Sequence, residues 1–277
     1  MNEEMPYLEV DSRTQLAVEL KEVSKSFHNS LAIADVSLRV TPGSFTVLVG
    51  PTGCGKSTLL NLIAGLETPT QGCVLVCGHK VSGPTEGTAL LFQNFNLFPW
   101  LTALDNVAFA FKRSSFSKAE ARKEARRLLG NVGLGSVAHK VPAQLSGGMK
   151  QRVALVRAFA LKPRLLLMDE PFAALDYQTR KMMQLYLLTT WRDTGATVLM
   201  VTHDLEEALY LADRIVLMSG SPGTVSDVLD INIPRPRSKE NKLLIDSYQR
   251  LEAHLEAEAA RGEFTEEELK AMHEWHG

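Results

Sequence analysis

The segment GPTGCGKST, at residues 50–58, is the feature that most constrains what this chain can fold into. It follows the apolar run FTVLV and precedes LLNLIAGL, which predicts a strand, a glycine-rich loop and a helix in that order. Glycines let the backbone curl so that its N–H groups point inward, and the helix N-terminus adds the positive end of its dipole. The segment therefore predicts a loop that binds the phosphates of a nucleotide, and its flanking strand and helix argue against a chance match.

The phosphate-binding loop assigns an expected role to several side chains. We expect Lys56 to reach the β- and γ-phosphates, Ser57 to bind Mg²⁺, and Thr58 to donate to the α-phosphate. The nine residues expected to surround the nucleotide are Gly50, Pro51, Thr52, Gly53, Cys54, Gly55, Lys56, Ser57 and Thr58.

Composition limits the partners that this chain could bind. Its 277 residues suit one large domain or two small ones, and they can bury a sizeable core. Thirty basic residues against 32 acidic ones leave a formal charge of −2, which argues against a nucleic-acid binder.

The cysteines and the apolar runs exclude further classes. Three cysteines, Cys54, Cys73 and Cys77, show no zinc-binding spacing and suit a reducing cytosol. The acidic, polar N-terminus is not a signal peptide, and no apolar run nears the roughly 18 residues needed to cross a bilayer.

Strand and helix patterns alternate along the chain and predict an α/β fold. Residues 1–15 are expected to be a loose leader, 16–230 the main domain, and 231–277 a helical tail. Within the domain, residues 94–160 are expected to form a mainly helical insert, with helices at 117–129 and 151–161. Helical spacing continues in the tail, where Leu244, Tyr248, Leu251 and Leu255 form a stripe, and Thr265 with Glu268 fits a capping box.

The segment LLLMDE supplies a second part of a nucleotide site. Its apolar residues predict a buried parallel strand, and Asp169 and Glu170 follow at the end of that strand. Asp169 can hold Mg²⁺ directly or through water, and Glu170 can accept the proton of an attacking water. A solvated turn is the alternative for such a pair.

LSGGMKQR, at residues 145–152, resembles the signature of ATP-binding-cassette (ABC) ATPases when it is taken together with the phosphate loop and LLLMDE. The resemblance covers residues 16–230 and implies a P-loop NTPase (RecA-like) core, an antiparallel β subdomain and a helical subdomain. It implies ATP and Mg²⁺ as ligands, with Ser57, Asp169 and Gln93 at the metal.

Further residues take expected roles from this resemblance. Gln93 in FQN matches the Q-loop, and His203 in VTHD matches the switch histidine that touches the γ-phosphate. Asp176 ends FAALD, which matches the D-loop although Ala173 stands where serine is common. Phe27 stands where the family has an aromatic ring on adenine, often a tyrosine. The alternatives are an ordinary loop amide for Gln93 and a core histidine for His203.

The signature segment explains why one chain carries two phosphate-binding features. In ABC ATPases two cassettes pack head to tail, so the resemblance implies that Ser146, Gly147 and Gly148 complete the partner's site. The Gly147 helix would then offer N–H donors from the side opposite Lys56.

Within the ABC ATPases, the sequence resembles bacterial importers of nitrate, sulfonate, taurine and bicarbonate. FQNFNLFPWLTALDNVAFAF and IPRPR carry this resemblance. It implies a separate membrane permease dimer, an extracytoplasmic solute-binding protein and a place on the cytoplasmic face of the inner membrane. The alternative is a soluble cassette acting in DNA repair or translation, but such proteins usually carry tandem cassettes or coiled-coil inserts. A small-molecule kinase is disfavoured because LSGG has no role there.

An apolar cluster after Gln93 consists of Phe95, Leu97, Phe98, Trp100 and Leu101. It either fills the core of the helical insert or receives a short helix of the permease. Nothing in the sequence identifies the solute, or whether the partner ATPase is identical.

Overall fold

A computed structural model of the chain describes residues 16–28, 30–113, 115–238 and 241–258. The expected leader, and the capping box at Thr265 and Glu268, lie outside these residues. The β strands are β1 Val18–Phe27, β2 Ser30–Val40, β3 Phe45–Val49, β4 Gln71–Val76, β5 His79–Lys80, β6 Thr88–Leu91, β7 Leu165–Asp169, β8 Thr197–Thr202, β9 Arg214–Ser219 and β10 Thr224–Asp230. The α helices are α1 Lys56–Ile63, α2 Ala103–Ala108, α3 Lys118–Asn131, α4 Gly147–Ala160, α5 Tyr177–Thr194, α6 Leu205–Leu211 and α7 Lys242–Glu258.

Two β-sheets organise the described part of the chain and confirm the predicted α/β class. An antiparallel sheet has the strand order β2-β1-β4-β5. A second sheet has the order β10-β9-β3-β8-β7-β6, in which β9 to β6 run parallel and β10 pairs antiparallel with β9. Strands β3, β8 and β7 are therefore neighbours, although long stretches of chain separate them in the sequence.

Strands β3, β7, β8 and β9 are buried on both faces, as their continuous apolar sequences predict. Successive side chains of β7 enter different clusters: Leu166 and Met168 join one, and Leu165 and Leu167 join the other. The second cluster also contains residues of α1 and of the antiparallel sheet. This packing holds the loop between β3 and α1 against the sheet that carries the other site residues.

Helices α2, α3 and α4 all lie between β6 and β7. Ser117 caps α3: its Oγ accepts from Glu120 N at 3.3 Å, and Glu120 Oε2 accepts from Ser117 N at 2.7 Å. The apolar pattern predicted a start of the next helix at Gln151, which is wrong, whereas α4 begins at Gly147, as the resemblance implied. Ser146 Oγ accepts from Met149 N at 3.3 Å, so a side-chain cap starts the helix four residues earlier.

The segment after β10 is fixed to α6. Arg237 is 6 % exposed, and its guanidinium donates to the carbonyl oxygens of Leu209, Ala212, Ile231 and Ile233. Because the last carbonyls of a helix lack partners within the helix, this cation caps the C-terminal end of α6.

Helix α7 packs against α6, which confirms the predicted tail helix within the described residues. Leu244, Leu251 and Leu255 are buried in the main core, and Tyr248 packs against it. The apolar stripe therefore contacts its own chain, the more common of the two outcomes for such a stripe.

Two kinds of feature are absent from the described residues. In that part of the chain, no helix combines the length and apolar character that crossing a membrane requires. Among the same residues, His, Cys, Asp and Glu side chains do not cluster in a group that could hold a metal ion by themselves. Cys73 lies in β4, and Cys77 lies in the turn that follows it.

Candidate functional site

The expected site residues follow the carboxyl ends of four neighbouring parallel strands. The phosphate loop follows β3, His203 follows β8, Asp169 ends β7, and Gln93 comes two residues after β6. The register places Val49 beside Thr202 and Asp169 beside Val201. Ligands of open α/β sheets bind at this edge, so the sheet brings residues distant in sequence to one place.

The backbone of the phosphate loop depends on glycine. Gly55 has φ +87°, and a Cβ there would lie 2.3 Å from Cδ1 of Ile33. A Cβ on Gly50 would lie 2.2 Å from the carbonyl oxygen of Met218. Gly55 also begins α1 without a side-chain cap, which leaves the first N–H groups of the helix for an anion. The loop therefore fits a phosphate group.

The Lys56 side chain folds over this loop. Its ammonium donates to the carbonyl oxygens of Gly50 and Pro51 at 2.7 and 2.6 Å, and lies 3.7 Å from Sγ of Cys54. Lys56 is 7 % exposed, so its charge is balanced here by carbonyl dipoles. Burial raises the pKa of the Cys54 thiol, which keeps it protonated and unreactive.

Ser57 and Asp169 offer oxygen atoms suited to a magnesium ion. Ser57 lies in the first turn of α1, and Asp169 ends β7. Burial raises the pKa of Asp169, the nearby Glu170 raises it further, and Ser57 and Lys56 oppose the shift. A hydroxyl and a carboxylate are the hard oxygen ligands that Mg²⁺ prefers, so this pair fits the ion.

Glu170 stands between His203 and Gln93. His203 Nδ1 lies 3.2 Å from Glu170 Oε1, and Gln93 Nε2 donates to Glu170 Oε2 at 3.4 Å. The backbone of Glu170 has φ +46°, a conformation that non-glycine residues rarely adopt and that clusters at functional sites. Both carboxylate oxygens are thus oriented by side chains that follow neighbouring strands.

The contact between His203 and Glu170 also sets their charges. The hydrogen bond to His203 lowers the pKa of Glu170, and burial opposes it only in part. The same hydrogen bond raises the pKa of His203, and the charges of Glu170, Asp204 and Glu207 add to it. Glu170 is therefore ionised at neutral pH and can accept a proton.

Phe27 lies at the end of β1, and 38 % of it is exposed. The Lys25 ammonium lies 4.7 Å from the centroid of its ring. An accessible aromatic ring can stack on a planar base, and the adjacent cation adds positive charge beside it.

The signature residues contact the D-loop, defined here as residues 172–176. Ser146 and Gly147 are exposed at the start of α4. A Cβ on Gly148 would lie 3.2 Å from Cδ2 of Leu175. Asp176 caps α5 by accepting from Thr179 N at 3.0 Å. The structure thus places the signature glycines beside the D-loop of the same chain.

Two residues at this site were missed by sequence reasoning. Gln151 is 1 % exposed and donates from Nε2 to the carbonyl oxygen of Glu170 at 3.4 Å. Arg180, one turn into α5, donates to Asp204 and Leu175. The position of Gln151 in LSGGMKQR was a usable signal, but no local pattern in the sequence indicates the partners of Arg180.

Sequence comparison relates the chain to known proteins. Residues 33–173 match a family model described as ABC transporter. The chain is 49 % identical over 201 residues to the taurine import ATP-binding protein TauB of Yersinia pestis bv. Antiqua, covering 73 % of this chain and 79 % of that protein. It is 47 % identical over 213 residues to the nitrate import ATP-binding protein NrtD of Synechococcus elongatus, covering 76 % and 78 %. A bicarbonate transport ATP-binding protein, CmpC of Synechococcus elongatus, is 44 % identical over 248 residues, which cover 87 % of this chain and 37 % of that protein.

A solved structure of an ATP-binding cassette is similar to this chain in both fold and sequence. The ATP-binding cassette MJ0796, solved as a dimer in a post-hydrolysis state bound to ADP and Pi, superposes with a TM-score of 0.70. It is 35 % identical in sequence and aligns over 78 % of this chain and all of the MJ0796 chain.

Proposed function

The chain belongs to the ABC transporter family, and from this premise we propose that it is the ATP-hydrolysing subunit of an importer. Its solute is a small anion of the nitrate, sulfonate, taurine or bicarbonate class, which passes through a separate membrane permease. The observation that supports ATP hydrolysis is the position of Glu170, held by His203 and Gln93 at the sheet edge that carries the phosphate loop.

The residues around Glu170 have separate roles in ATP hydrolysis. Glu170 accepts the proton of the attacking water, and His203 orients this carboxylate and contacts the γ-phosphate. Lys56 turns from the carbonyl oxygens of Gly50 and Pro51 to the β- and γ-phosphates when ATP enters. Phe27 stacks on the adenine ring.

Ser57, Asp169 and Gln93 would hold Mg²⁺, which would neutralise charge on the phosphate oxygens when bound. The influence of Ser57, which lowers the pKa of Asp169 against the effect of burial, supports this assignment. Gln93 supports it by position, because its amide already lies beside Glu170. The three side chains come from α1, β7 and the segment after β6, so all three elements would contribute to holding the ion.

Two ATPase subunits form the working unit. Ser146, Gly147 and Gly148 of one subunit bind the nucleotide held by Lys56 of the other, and the D-loop through Asp176 lies along the same contact. Exposure of Ser146 and Gly147 in the single chain supports this arrangement. The partner subunit is a second copy of this chain or a related ATPase, and loss of the γ-phosphate releases the two subunits.

The solute class rests on the names of the relatives. Proteins 44–49 % identical to this chain are named for taurine, nitrate and bicarbonate transport. These solutes share a small size and a negatively charged group. An extracytoplasmic solute-binding protein delivers the solute to the permease, and the ATPase works at the cytoplasmic face of the bacterial inner membrane.

The permease contacts an aromatic surface near Gln93, defined by Phe98, Trp100 and Phe109. The Phe98 ring lies 5.8 Å from that of Trp100 and 4.7 Å from that of Phe109, and Trp100 is 74 % exposed. The guanidinium of Arg157 in α4 lies 5.5 Å from the centroid of the Phe98 ring and so supports this surface. An exposed aromatic patch of this kind suits a short amphipathic helix.

The alternative function, a soluble cassette acting in DNA repair or translation, receives no support from the named relatives. The formal charge of −2 also counts against nucleic acid as a partner.

Phosphate release from Mg-ATP by the purified chain tests the catalytic part of this proposal. Wild-type protein should hydrolyse ATP, and Lys56→Ala should not. A wild-type chain that binds no ATP would exclude the proposed function.

Co-purification from detergent extracts tests the transport part. Wild-type chain should retain a permease, and Trp100→Ala should lose it; Leu185→Ala, an exposed leucine of α5 (59 %), is the matched control. ATP-dependent uptake of nitrate, taurine or bicarbonate by the recovered complex in proteoliposomes would then identify the solute. Retention of a nucleic-acid enzyme in place of a permease would favour the alternative function.

A further inference from the structure

We propose that Arg180 is a positioning residue that links the D-loop to the segment carrying His203. Through this link, a movement of the D-loop changes the position of His203 relative to Glu170. The proposal rests on the proposed function, in which His203 and Glu170 act on ATP.

Arg180 contacts both segments with one planar guanidinium group. Nη1 donates to Oδ2 of Asp204 at 3.3 Å, and Nη2 donates to the carbonyl oxygen of Leu175 in the D-loop at 3.3 Å. The two acceptors lie 29 residues apart in the sequence and have different chemistry. A fork of two N–H groups in fixed geometry can hold both acceptors, whereas a single ammonium cannot hold them in the same way.

Asp204 couples the position of Arg180 to that of His203. Its Oδ1 caps α6 by accepting from Glu207 N at 3.0 Å, and its own N–H donates to Oγ1 of Thr202 at 3.1 Å. Asp204 is therefore held from three directions. Because His203 is the preceding residue and lies 3.2 Å from Glu170, a displacement of Asp204 moves His203 as well.

At its other end the link reaches the signature glycines. Leu175 is 5 % exposed, and its side chain would lie 3.2 Å from a Cβ placed on Gly148. In the proposed dimer Gly148 contacts the nucleotide of the partner subunit. Gly148 lies beside the Leu175 side chain, the Leu175 carbonyl accepts from Arg180, and Arg180 pairs with Asp204. Since Asp204 follows His203 directly, this series connects the partner's nucleotide with the chain's own catalytic pair.

The ion pair itself adds little to folding stability. The side chains of Arg180 and Asp204 are 32 % and 31 % exposed, and ion pairs as exposed as this one contribute little to stability. A large effect of Arg180 on catalysis would therefore point to positioning, because the stability change is expected to be small.

The test compares Arg180→Met with Arg214→Met. Arg214 is the matched control because its side chain is 33 % exposed and it forms an ion pair with Asp230, between β9 and β10. We expect Arg180→Met to lower kcat for ATP about 10- to 100-fold, since small misplacements of catalytic groups cost this much, with KM changed less than about twofold. Arg180→Lys should recover part of the loss, Asp204→Asn should resemble Arg180→Met, and Arg214→Met should match wild type.

A second comparison separates positioning from a general structural effect. If Arg180 acts through His203, Arg180→Met should lower the residual kcat of the His203→Ala variant by less than about twofold. The inference is overturned if Arg180→Met keeps wild-type kcat, or if it lowers kcat by the same factor in both backgrounds. If Arg180→Met does not fold, Asp204→Asn and Arg180→Lys decide by the same criteria. A wild-type chain without ATPase activity would refute the proposed function, whereas an active wild type with an unaffected Arg180→Met refutes only this inference.

Discussion

The Nδ1 atom of His203 lies 3.2 Å from the Oε1 atom of Glu170, although 33 residues separate them in the sequence. Each residue changes the charge state of the other: the contact lowers the pKa of Glu170 and raises that of His203. A carboxylate that stays ionised can accept a proton from water, and the imidazole keeps it in place. This pair is the basis of the first prediction.

Glu170→Gln should bind ATP and lose hydrolysis, because an amide cannot accept the proton of the attacking water. We expect kcat to fall by about 10² or more, which is the usual contribution of a positioned base. Since the γ-phosphate then stays bound, the variant should accumulate as a closed dimer in size-exclusion chromatography with ATP and Mg²⁺. An active, monomeric Glu170→Gln protein would refute the assignment of the base.

Nucleotide sites shared between subunits predict complementation between two inactive variants. Ser146→Arg blocks the contact that one chain offers to its partner's ATP, and Lys56→Ala disables a chain's own phosphate loop. An equal mixture should regain about a quarter of wild-type ATPase activity, because half of randomly formed dimers are mixed and each has one intact site. Ser146 is exposed, so the folded chain has room for the arginine, and loss of the cap on Met149 N should cost about 0.5–2 kcal/mol of stability.

Activity of each variant alone is the control for this mixture. No recovery in the mixture, with both variants folded and able to exchange subunits, would contradict sharing of the site.

The buried carboxyl group of Glu207 should make the stability of the folded chain depend on pH. Glu207 is 4 % exposed, and burial raises its pKa from 4.5 to about 7. Between these values the folded chain holds a proton that the unfolded chain has released, so the free energy of unfolding falls as the pH rises through this window. Above pH 7 both states are ionised and the destabilisation stays constant.

Glu207→Gln should remove this destabilisation. Gln184 Nε2 donates to Oε1 of Glu207 at 3.1 Å, and glutamine at position 207 keeps an oxygen acceptor there. We expect the variant to be about 1–3 kcal/mol more stable than wild type at pH 8, with a much smaller difference at pH 5. Urea unfolding at both pH values measures this, and an equal difference at pH 5 and pH 8 would contradict the prediction.

Arg237→Met should destabilise the chain, because it leaves the carbonyl oxygens at the end of α6 buried without a donor. Burial lowers the pKa of Arg237 to about 10, which still leaves it charged at neutral pH. We expect a loss of about 2–3 kcal/mol in the free energy of unfolding, as for other buried hydrogen bonds to a charged group.

Arg250→Met is the control for this loss. The Arg250 side chain is 62 % exposed and pairs with Asp227 at 3.3 Å, so its removal should change stability by less than about 1 kcal/mol. Equal urea midpoints for the two variants would show that Arg237 does not cap α6.

Local sequence patterns predicted most of the secondary structure. The order of strand, glycine loop and helix around Lys56 was predictable because apolar periodicity and glycine positions act over a few residues. The stripe of the tail was predictable for the same reason, since Leu244, Leu251 and Leu255 are one helical face. Apolar periodicity did not predict the start of α4, because the cap at Ser146 determines it and the periodicity begins only further on. The resemblance of LSGGMKQR to the signature segment did place that start at Gly147.

Contacts at the site could be predicted only in part. The motifs named Glu170, His203 and Gln93 separately, but their distances depend on the order of β6, β7, β8 and β3 in the sheet. The role of Arg180 was not predictable, because its two acceptors belong to loops that only the folded chain brings together.

The sequence by itself determined the α/β class, the phosphate loop and the residue types available for nucleotide chemistry, since these follow from local composition and spacing. Only the tertiary structure decided that Asp169 lies beside Val201, that Glu170 adopts φ +46°, and that Arg180 joins the D-loop to Asp204. The physical reason is the distance along the chain over which each interaction acts. Backbone preferences act between near neighbours in the chain, whereas strand pairing and side-chain contacts join residues that are distant in sequence.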